Sequence, residues 1–187
     1  PTAVLLEALD ELDRLEATVS QLLALARDSA SPRSPIDVGL LLQKLERRWR
    51  RPLAALGRRL ELVVDDDELP HPEVSEVAIS QVLDVLIDNA AHHGAGVVTV
   101  EATGVVSGVS LSVTDEGAGI EDPARIFERR GTDARGHGIG LALARSVVEA
   151  EGGRLMLERS APRPQFVIVL PAARPVRDAP QPAPVSA

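Results

Sequence analysis

Residues 81–94 have the sequence QVLDVLIDNAAHHG, the stretch that says most about the fold of this chain. Its apolar residues recur at helical spacing, and the pattern predicts one long helix from about residue 74 to residue 93, closed by Gly94. Asn89, His92 and His93 would share a face of that helix. An amide oxygen can ligate magnesium, and an imidazole can donate to a phosphate. Taken alone, the two histidines are better explained as surface residues at a helix end, where positive charge suits the dipole.

Further helices and strands are predicted on both sides of this segment. Asp37 is a plausible N-cap for the preceding helix, which ends near Gly57. The resulting order of elements favours an α/β (α+β) two-layer sandwich, in which helices cover one face of a mixed sheet. The predicted helices are 38–56, 74–93 and 139–150, and the predicted strands are 59–64, 97–102, 109–114, 154–158 and 166–170.

The two ends of the chain are predicted to lie outside the α/β sandwich. Residues 1–30 carry apolar residues at heptad spacing, with a stripe wide enough for a helix bundle, so a long bundle-type helix is predicted there. A partner helix would come from upstream chain or another subunit; packing on its own domain is the alternative. Residues 31–35 are predicted to be a linker, and the Pro/Ala-rich residues 172–187 a disordered tail. Because the chain begins with Pro1, we interpret it as a fragment of a longer protein.

The composition excludes several classes of function. The 187 residues carry a net charge of −8 and only three aromatic side chains, which argues against nucleic acid as a partner. No stretch approaches the roughly 20 continuous apolar residues of a membrane helix, so no membrane contact is expected from this part of the protein. The absence of cysteine excludes disulfides and thiolate metal sites, and it fits a reducing compartment.

Two glycine-containing segments carry further candidate chemistry. Residues 114–120, TDEGAGI, directly follow a predicted strand, where Asp115 can accept from the exocyclic amine of adenine and the glycines let the backbone approach the ring. Residues 136–141, GHGIGL, open a helix whose exposed amides can cradle a phosphate. The arginine-containing stretch between them suits a mobile lid over a polyphosphate. Each signal is weak alone, and a tight turn with a capping aspartate explains the first equally well.

The order and spacing of these segments resemble the catalytic and ATP-binding domain of bacterial sensor histidine kinases, in the superfamily that includes gyrase, Hsp90 and MutL. The resemblance covers about residues 36–171. The Asn89 helix is similar to the family's N box, and residues 115–119 are similar to its first glycine box. Residues 126–129, IFER, are similar to its F box, and residues 136–141 to its second glycine box. The leading helix resembles the second helix of the dimerisation and phosphoacceptor hairpin.

The resemblance implies a Bergerat-type sandwich that binds ATP and Mg2+. It implies that Asn89 is the magnesium ligand, that His92 lies near the phosphates, that His93 lies against the adenine and that Asp115 accepts from the adenine amine. The other ATP-binding residues that it implies are Gly117, Gly119, Ile120, Arg129, Arg130, Arg135, Gly136, His137, Gly138, Gly140 and Leu141.

The sequence departs from the family pattern at three places. None of its four histidines lies in the phosphoacceptor pattern H-E-L-R-T-P, so no catalytic acceptor is expected within these residues. Val85 stands where many kinases have a second asparagine and hydrolysing relatives have a glutamate, which argues against autonomous ATP hydrolysis. The usual Gly-Thr before the last strand is replaced by Arg163-Pro164-Gln165, which questions a contact that supports the pocket.

The resemblance therefore implies in-line transfer of the ATP γ-phosphoryl group to a histidine upstream of this fragment. The phosphoryl group would then pass to the receiver domain of a response regulator. The full-length protein is expected to be a membrane-anchored sensor that forms a homodimer through its helical hairpin, with this part in the cytoplasm. The alternatives are a nucleotide-binding switch without transfer activity and a serine kinase or anti-sigma factor of the same superfamily. The bundle-like leading helix counts against the last alternative.

Overall fold

The computed structural model describes residues 32–65, 69–128 and 140–172. The helix predicted at 1–30 and the tail beyond Ala172 lie outside the described residues. The described helices are α1 (Val38–Ala55), α2 (Glu76–His93) and α3 (Gly140–Ala150), and a 3-10 helix spans Pro123–Arg125. The described strands are β1 (Ser34–Pro35), β2 (Leu60–Val64), β3 (Glu73–Val74), β4 (Val98–Val105), β5 (Gly108–Thr114), β6 (Arg154–Arg159) and β7 (Gln165–Pro171).

Five of these strands form one mixed sheet in the order β2-β4-β5-β7-β6. The β2–β4 pair is parallel, and the other three pairs are antiparallel. Antiparallel neighbours can be joined by tight turns, whereas a parallel pair needs a long crossover, and here α2 lies within that crossover. The mixed α/β sandwich predicted from the order of elements is confirmed.

Alternation along the strands explains why the helices cover one face of this sheet. On β4, Val98, Val100 and Ala102 are fully buried, whereas Thr99 and Glu101 between them are half-buried. The register places buried residues opposite one another, because it pairs Val100 with Val113, Ala102 with Leu111, and Leu111 with Ile168. One face of the sheet is therefore apolar, and it needs the apolar faces of the helices to remove it from water.

Both helices that precede β4 begin at a capping side chain. Asp37 Oδ1 accepts from the amide of Leu40 at 3.0 Å, and Ser75 Oγ accepts from the amide of Ala78 at 3.2 Å. Helix α1 ends at Ala55, and Gly57, two residues later, has a φ of 68°, in the left-handed region that glycine adopts without strain. The Asp37 cap and the end near Gly57 match the sequence prediction.

The predicted linker at 31–35 is partly incorporated into the domain. Ser34 and Pro35 form β1, which pairs antiparallel with Val74 and Glu73 of β3. Arg33 Nε also lies 3.1 Å from Glu151 Oε2, an oxygen that accepts from the amide of Ser75 at 3.0 Å. A two-residue strand has no alternation that a sequence pattern could detect, so only its distant partner reveals it.

Helix α2 contributes the largest share of the helical core, and α1 packs beside it. On α2, the side chains of Ile79, Val82, Leu83, Leu86 and Ile87 have no exposed surface. Neither this helix nor any other within the described ranges combines the length and apolar character needed to cross a membrane. Burial of these side chains makes α2 a closely packed element, and its last turn carries the candidate residues Asn89, His92 and His93.

A polar cluster joins α1 to α2 at the edge of this core. Trp49 Nε1 donates to Asp84 Oδ1 at 2.6 Å, and Arg48 Nε lies 3.1 Å from the same oxygen. Burial raises the pKa of Asp84 above its usual range, while the Trp49 hydrogen bond and the Arg48 charge offset part of that effect and the Asp88 charge adds to it. The single tryptophan of the chain thus reports on this interface.

Replacing Leu86 tests the buried face of α2. Leu86→Ala should lower the free energy of unfolding by about 2–5 kcal/mol, because it removes buried methyl groups and leaves a cavity. The matched variant Leu40→Ala, at a position 52% exposed on α1, should change it by less than about 0.5 kcal/mol. Urea unfolding followed by Trp49 fluorescence measures both variants. Equal losses would contradict the assigned burial.

The partly buried carboxylate of Asp84 should give the protein a measurable pH dependence. Because its pKa is raised in the folded state, the folded protein binds this proton more tightly than the unfolded chain. Its contribution to stability is complete below the unfolded pKa and is lost as pH rises through the folded pKa. Asp84→Asn keeps an acceptor for Trp49 and removes the titration. Relative to the wild type, this variant should therefore gain unfolding free energy as pH rises through that range, and a pH-independent difference would contradict the assignment.

Candidate functional site

The candidate site is centred on Asp115, which directly follows β5 and is only 5% exposed. Its Oδ1 accepts from the amide of Gly117 at 2.6 Å and from the amide of Ala95 at 3.2 Å. A buried carboxylate requires such donors, because it is costly to remove the charge from water without them. Since both bonds use Oδ1, the second oxygen can accept from a group outside the chain.

Two glycines allow the backbone to approach this carboxylate closely. A Cβ atom added to Gly94 or to Gly117 would lie less than 3.0 Å from the side chain of Asp115, closer than real Cβ atoms approach. Gly94 ends α2 with φ of −89°, so it is not a left-handed cap of the kind that its position suggests. Its lack of a side chain is needed for contact with Asp115 instead.

The turn after α2 is bonded to the residues around Asp115. The amide of Glu116 donates to Ala95 O at 2.9 Å, and the amide of Val97 donates to Glu116 Oε2 at 3.0 Å. Arg58 also donates to main-chain carbonyls of this turn. Sequence reasoning missed Arg58, because its partners are 32 to 38 residues away and no local pattern marks it.

The last turn of α2 carries the other predicted ligands. Asn89 is half-buried there, and His92 and His93 are exposed. His92 Nδ1 lies 2.9 Å from Asp88 O and 3.2 Å from Asp88 Oδ1, so this nitrogen is engaged within the helix. The chain leads from this turn through Gly94 directly to the Asp115 contact. The structure thus brings the first two predicted segments together.

The remaining described candidates have different surroundings. Gly119 has φ of 137° and lies against Ala161, and the amide of Ile120 donates to Ser160 O at 2.9 Å. Gly140 begins α3, where an added Cβ would lie 3.5 Å from Val85 Cγ1, so the helix after the second glycine box starts beside α2. Leu141 is 4% exposed and belongs to the hydrophobic core, as Ile120 does in part. Arg129, Arg130, Arg135, Gly136, His137 and Gly138 lie outside the described residues.

The segment that replaces the family's Gly-Thr does reach the site. The amide of Arg163 donates to Gly117 O at 3.0 Å, and the amide of Asp115 donates to Pro164 O at 3.4 Å. Arg163 has φ of 58°, a left-handed conformation that costs a residue with a side chain about 1–2 kcal/mol. Both of these bonds are made by main-chain atoms, so this segment reaches the site through groups that do not depend on side-chain identity.

Phe127 of the predicted F box packs against a residue of β7. Its ring contacts Phe166 edge to face at 6.2 Å between centroids, and the Arg145 guanidinium lies 5.2 Å from its centroid. A cavity of about 420 Å³ beside it involves none of the predicted ligands. That cavity is lined by Pro123, Ala124, Phe127, Arg145, Arg154, Leu155, Met156, Leu157, Glu158 and Ser160.

The donor set suits a nucleotide with a hard cation better than a metal held by protein alone. Within the described parts of the chain, no three His, Asp or Glu side chains group to hold a metal ion. Magnesium commonly binds through one or two protein oxygens together with substrate phosphates, and Asn89 offers such an oxygen. The Asp115 carboxylate, held between two glycines, fits an amine donor on a flat ring. These residues therefore fit ATP and Mg2+.

The chain is similar to known proteins in both sequence and structure. Residues 74–174 match the family described as histidine kinase-, DNA gyrase B-, and HSP90-like ATPase. The signal transduction histidine-protein kinase/phosphatase MprB of Mycolicibacterium paratuberculosis is 32% identical over 187 residues, covering 88% of this chain and 34% of its own length. The crystal structure of full-length ShkA in complex with AMPPNP is similar with a TM-score of 0.68 and 26% identity, over 88% of this chain and 38% of that one.

The structure of the mycobacterial sensor histidine kinase MprB has a TM-score of 0.60 and 26% identity, over 75% of this chain and 97% of that one. The chain spans about a third of the length of the curated relatives it matches. The resemblance found in the asparagine and glycine segments is confirmed by these matches, and the chain belongs to the histidine kinase-, DNA gyrase B- and HSP90-like ATPase family.

Proposed function

We propose that this chain is the ATP-binding catalytic part of a sensor histidine kinase, which transfers the γ-phosphoryl group of ATP to a histidine. The observation that carries the proposal is the buried Asp115 carboxylate, held at Oδ1 by two amides at the point where the end of α2 meets the end of β5. The named relatives are histidine kinases, and ShkA was crystallised with an ATP analogue. Both facts support the same ligand here.

In this proposal Asp115 selects the base. Its second oxygen accepts from the exocyclic amine of adenine, while Gly94 and Gly117 leave room for the ring to approach. His93 lies against the adenine, and Gly119 and Ile120 shape the same pocket. The lid residues Arg129, Arg130 and Arg135 and the segment Gly136, His137, Gly138, Gly140 and Leu141 complete the proposed nucleotide contacts.

Asn89 is the proposed ligand of Mg2+, because its carboxamide lies on the turn that leads to Asp115. His92, also on that turn, donates to the phosphates from the nitrogen that Asp88 does not engage. Magnesium supplies neutralisation of phosphate charge, and the chain's own residues position the nucleotide for in-line transfer.

Val85 favours transfer over hydrolysis. It lies one turn before Asn89, is 9% exposed and faces the start of α3 at Gly140, so no base at this position can activate water. The proposed acceptor is a histidine of a dimerisation hairpin outside these residues, from which a response regulator receiver domain takes the phosphoryl group. We also propose that the whole protein is a membrane-anchored homodimer and that this part works in the cytoplasm.

The same buried Val85 keeps one alternative open, namely a nucleotide-operated switch without transfer activity. Such a switch also has no need of a residue that activates water. The two functions differ in whether a supplied histidine becomes phosphorylated.

Asn89→Ala tests the metal ligand. Without the carboxamide, the affinity for ATP in the presence of Mg2+ should fall more than about tenfold, while affinity in EDTA stays unchanged. Calorimetry measures both values, and the urea midpoint checks that the fold is intact. The matched variant Gln43→Ala, which removes an exposed carboxamide on α1, should bind as the wild type does. Undiminished affinity of Asn89→Ala would show that the metal assignment is wrong.

Transfer is tested by supplying a dimerisation hairpin that carries H-E-L-R-T-P as a second polypeptide. Labelled ATP should yield an acid-labile, alkali-stable phosphohistidine on the hairpin, whereas release of inorganic phosphate in its absence should be negligible. A hairpin with alanine at the acceptor position and the Asn89→Ala chain are the controls. ATP binding without any phosphohistidine would favour the switch.

A further inference from the structure

Three main-chain carbonyls around the end of α2 accept hydrogen bonds from a single guanidinium, that of Arg58. Its Nε donates to Gly96 O at 2.8 Å, its Nη2 to Ala95 O at 2.7 Å, and its Nη1 to Ala90 O. The Ala90 carbonyl also accepts from the amide of Gly94 at 2.9 Å, and it lies near the C-terminus of α2, where a cation suits the negative end of the helix dipole. One half-buried side chain therefore holds both the end of α2 and the turn that follows it.

The turn cannot hold its own shape by packing. Residues 94–96 are Gly-Ala-Gly, with no side chain larger than a methyl group, and both Ala95 and Gly96 are exposed. Such a segment buries little apolar surface, and its glycines lose much conformational freedom when they are ordered. Its conformation therefore depends on hydrogen bonds, with Arg58 on one side and residues 115–116 on the other.

Ala95 connects Arg58 to the carboxylate of the candidate site. Its carbonyl oxygen accepts both from Arg58 Nη2 and from the amide of Glu116, the latter at 2.9 Å. Its own amide donates to Asp115 Oδ1 at 3.2 Å. Any shift of the turn would move this amide and, with it, the Asp115 side chain. A single residue thus separates the guanidinium from the proposed base-recognition group.

We propose that Arg58 is a positioning residue for base selection: by holding the 94–96 turn, it sets the carboxylate of Asp115 where it accepts from a purine 6-amino group and rejects a 6-oxo group. This inference rests on the proposed function, in which Asp115 meets adenine. Arg58 acts only through Ala95 and Asp115.

The test compares ADP with IDP, whose base carries an oxygen in place of the amine. Calorimetry with Mg2+ should show the wild type preferring ADP by about tenfold or more, because a carboxylate accepts from an amine and repels a carbonyl oxygen. Arg58→Met should reduce this preference at least about fivefold, through weaker ADP binding, while the IDP affinity stays within about twofold. Arg59→Met removes the same charge at the next, exposed position and should keep the preference, since Arg59 is bonded to Val98 through its main-chain oxygen.

If Arg58 had only a structural role, Arg58→Met would lower the affinities for ADP and IDP equally and leave the ratio of the two affinities unchanged. That result would overturn the inference. Arg58→Lys keeps the charge with a single nitrogen and should give an intermediate ratio, so it serves as the test if Arg58→Met does not show wild-type Trp49 fluorescence. The variant Asp115→Asn distinguishes a failure of the proposed base contact from a failure of the proposed role of Arg58. If it leaves the preference for ADP intact, the proposed base contact itself fails. If it abolishes the preference while Arg58→Met retains it, only the role of Arg58 fails.

Discussion

The carboxylate of Asp115 is stable in its buried position because amides from two separate segments donate to the same oxygen. One amide is local, at Gly117, and the other lies 20 residues earlier in the turn after α2. To make the second bond, the end of α2 must reach the end of β5 with no side chain at Gly94 between them. This constraint fixes the contact between the end of the helix and the end of the strand, on the side where the candidate site residues lie.

Helix α2 satisfies that constraint because its middle and its last turn have different roles. Its middle buries side chains such as Ile79, Leu83 and Leu86 completely, so its position against the sheet is set by close packing. Its last turn is more exposed and carries Asn89 and the two histidines. A rigid core therefore places polar groups that contribute little to that packing. The same helix supports the start of α3, where Gly140, the last glycine of the third segment, lies beside Val85.

Local sequence patterns predicted most of the described helices and strands, and they also indicated the candidate site residues. Alternation predicted β4 and β5 to within a few residues, and capping chemistry predicted the start of α1 at Asp37. The spacing of the asparagine and glycine segments indicated the family that the comparisons confirm. The glycine at 94 was predicted as a helix end, but its main constraint is contact with Asp115. The helical pattern predicted that the helix ends at Gly94. Only the contact with Asp115 in the folded protein explains why a residue without a side chain is needed there.

The sequence by itself determined where the described helices and the five strands of the main sheet form, which face of each is apolar and which motifs are candidates for chemistry, because these properties depend on residues close along the chain. The tertiary structure alone decided the pairing of β1 with β3, the main-chain support from residues 163–164, and the three bonds of Arg58. Each of these joins residues far apart in sequence through main-chain groups. Every residue carries a carbonyl and almost every residue an amide, so no residue type marks in advance which of them will meet.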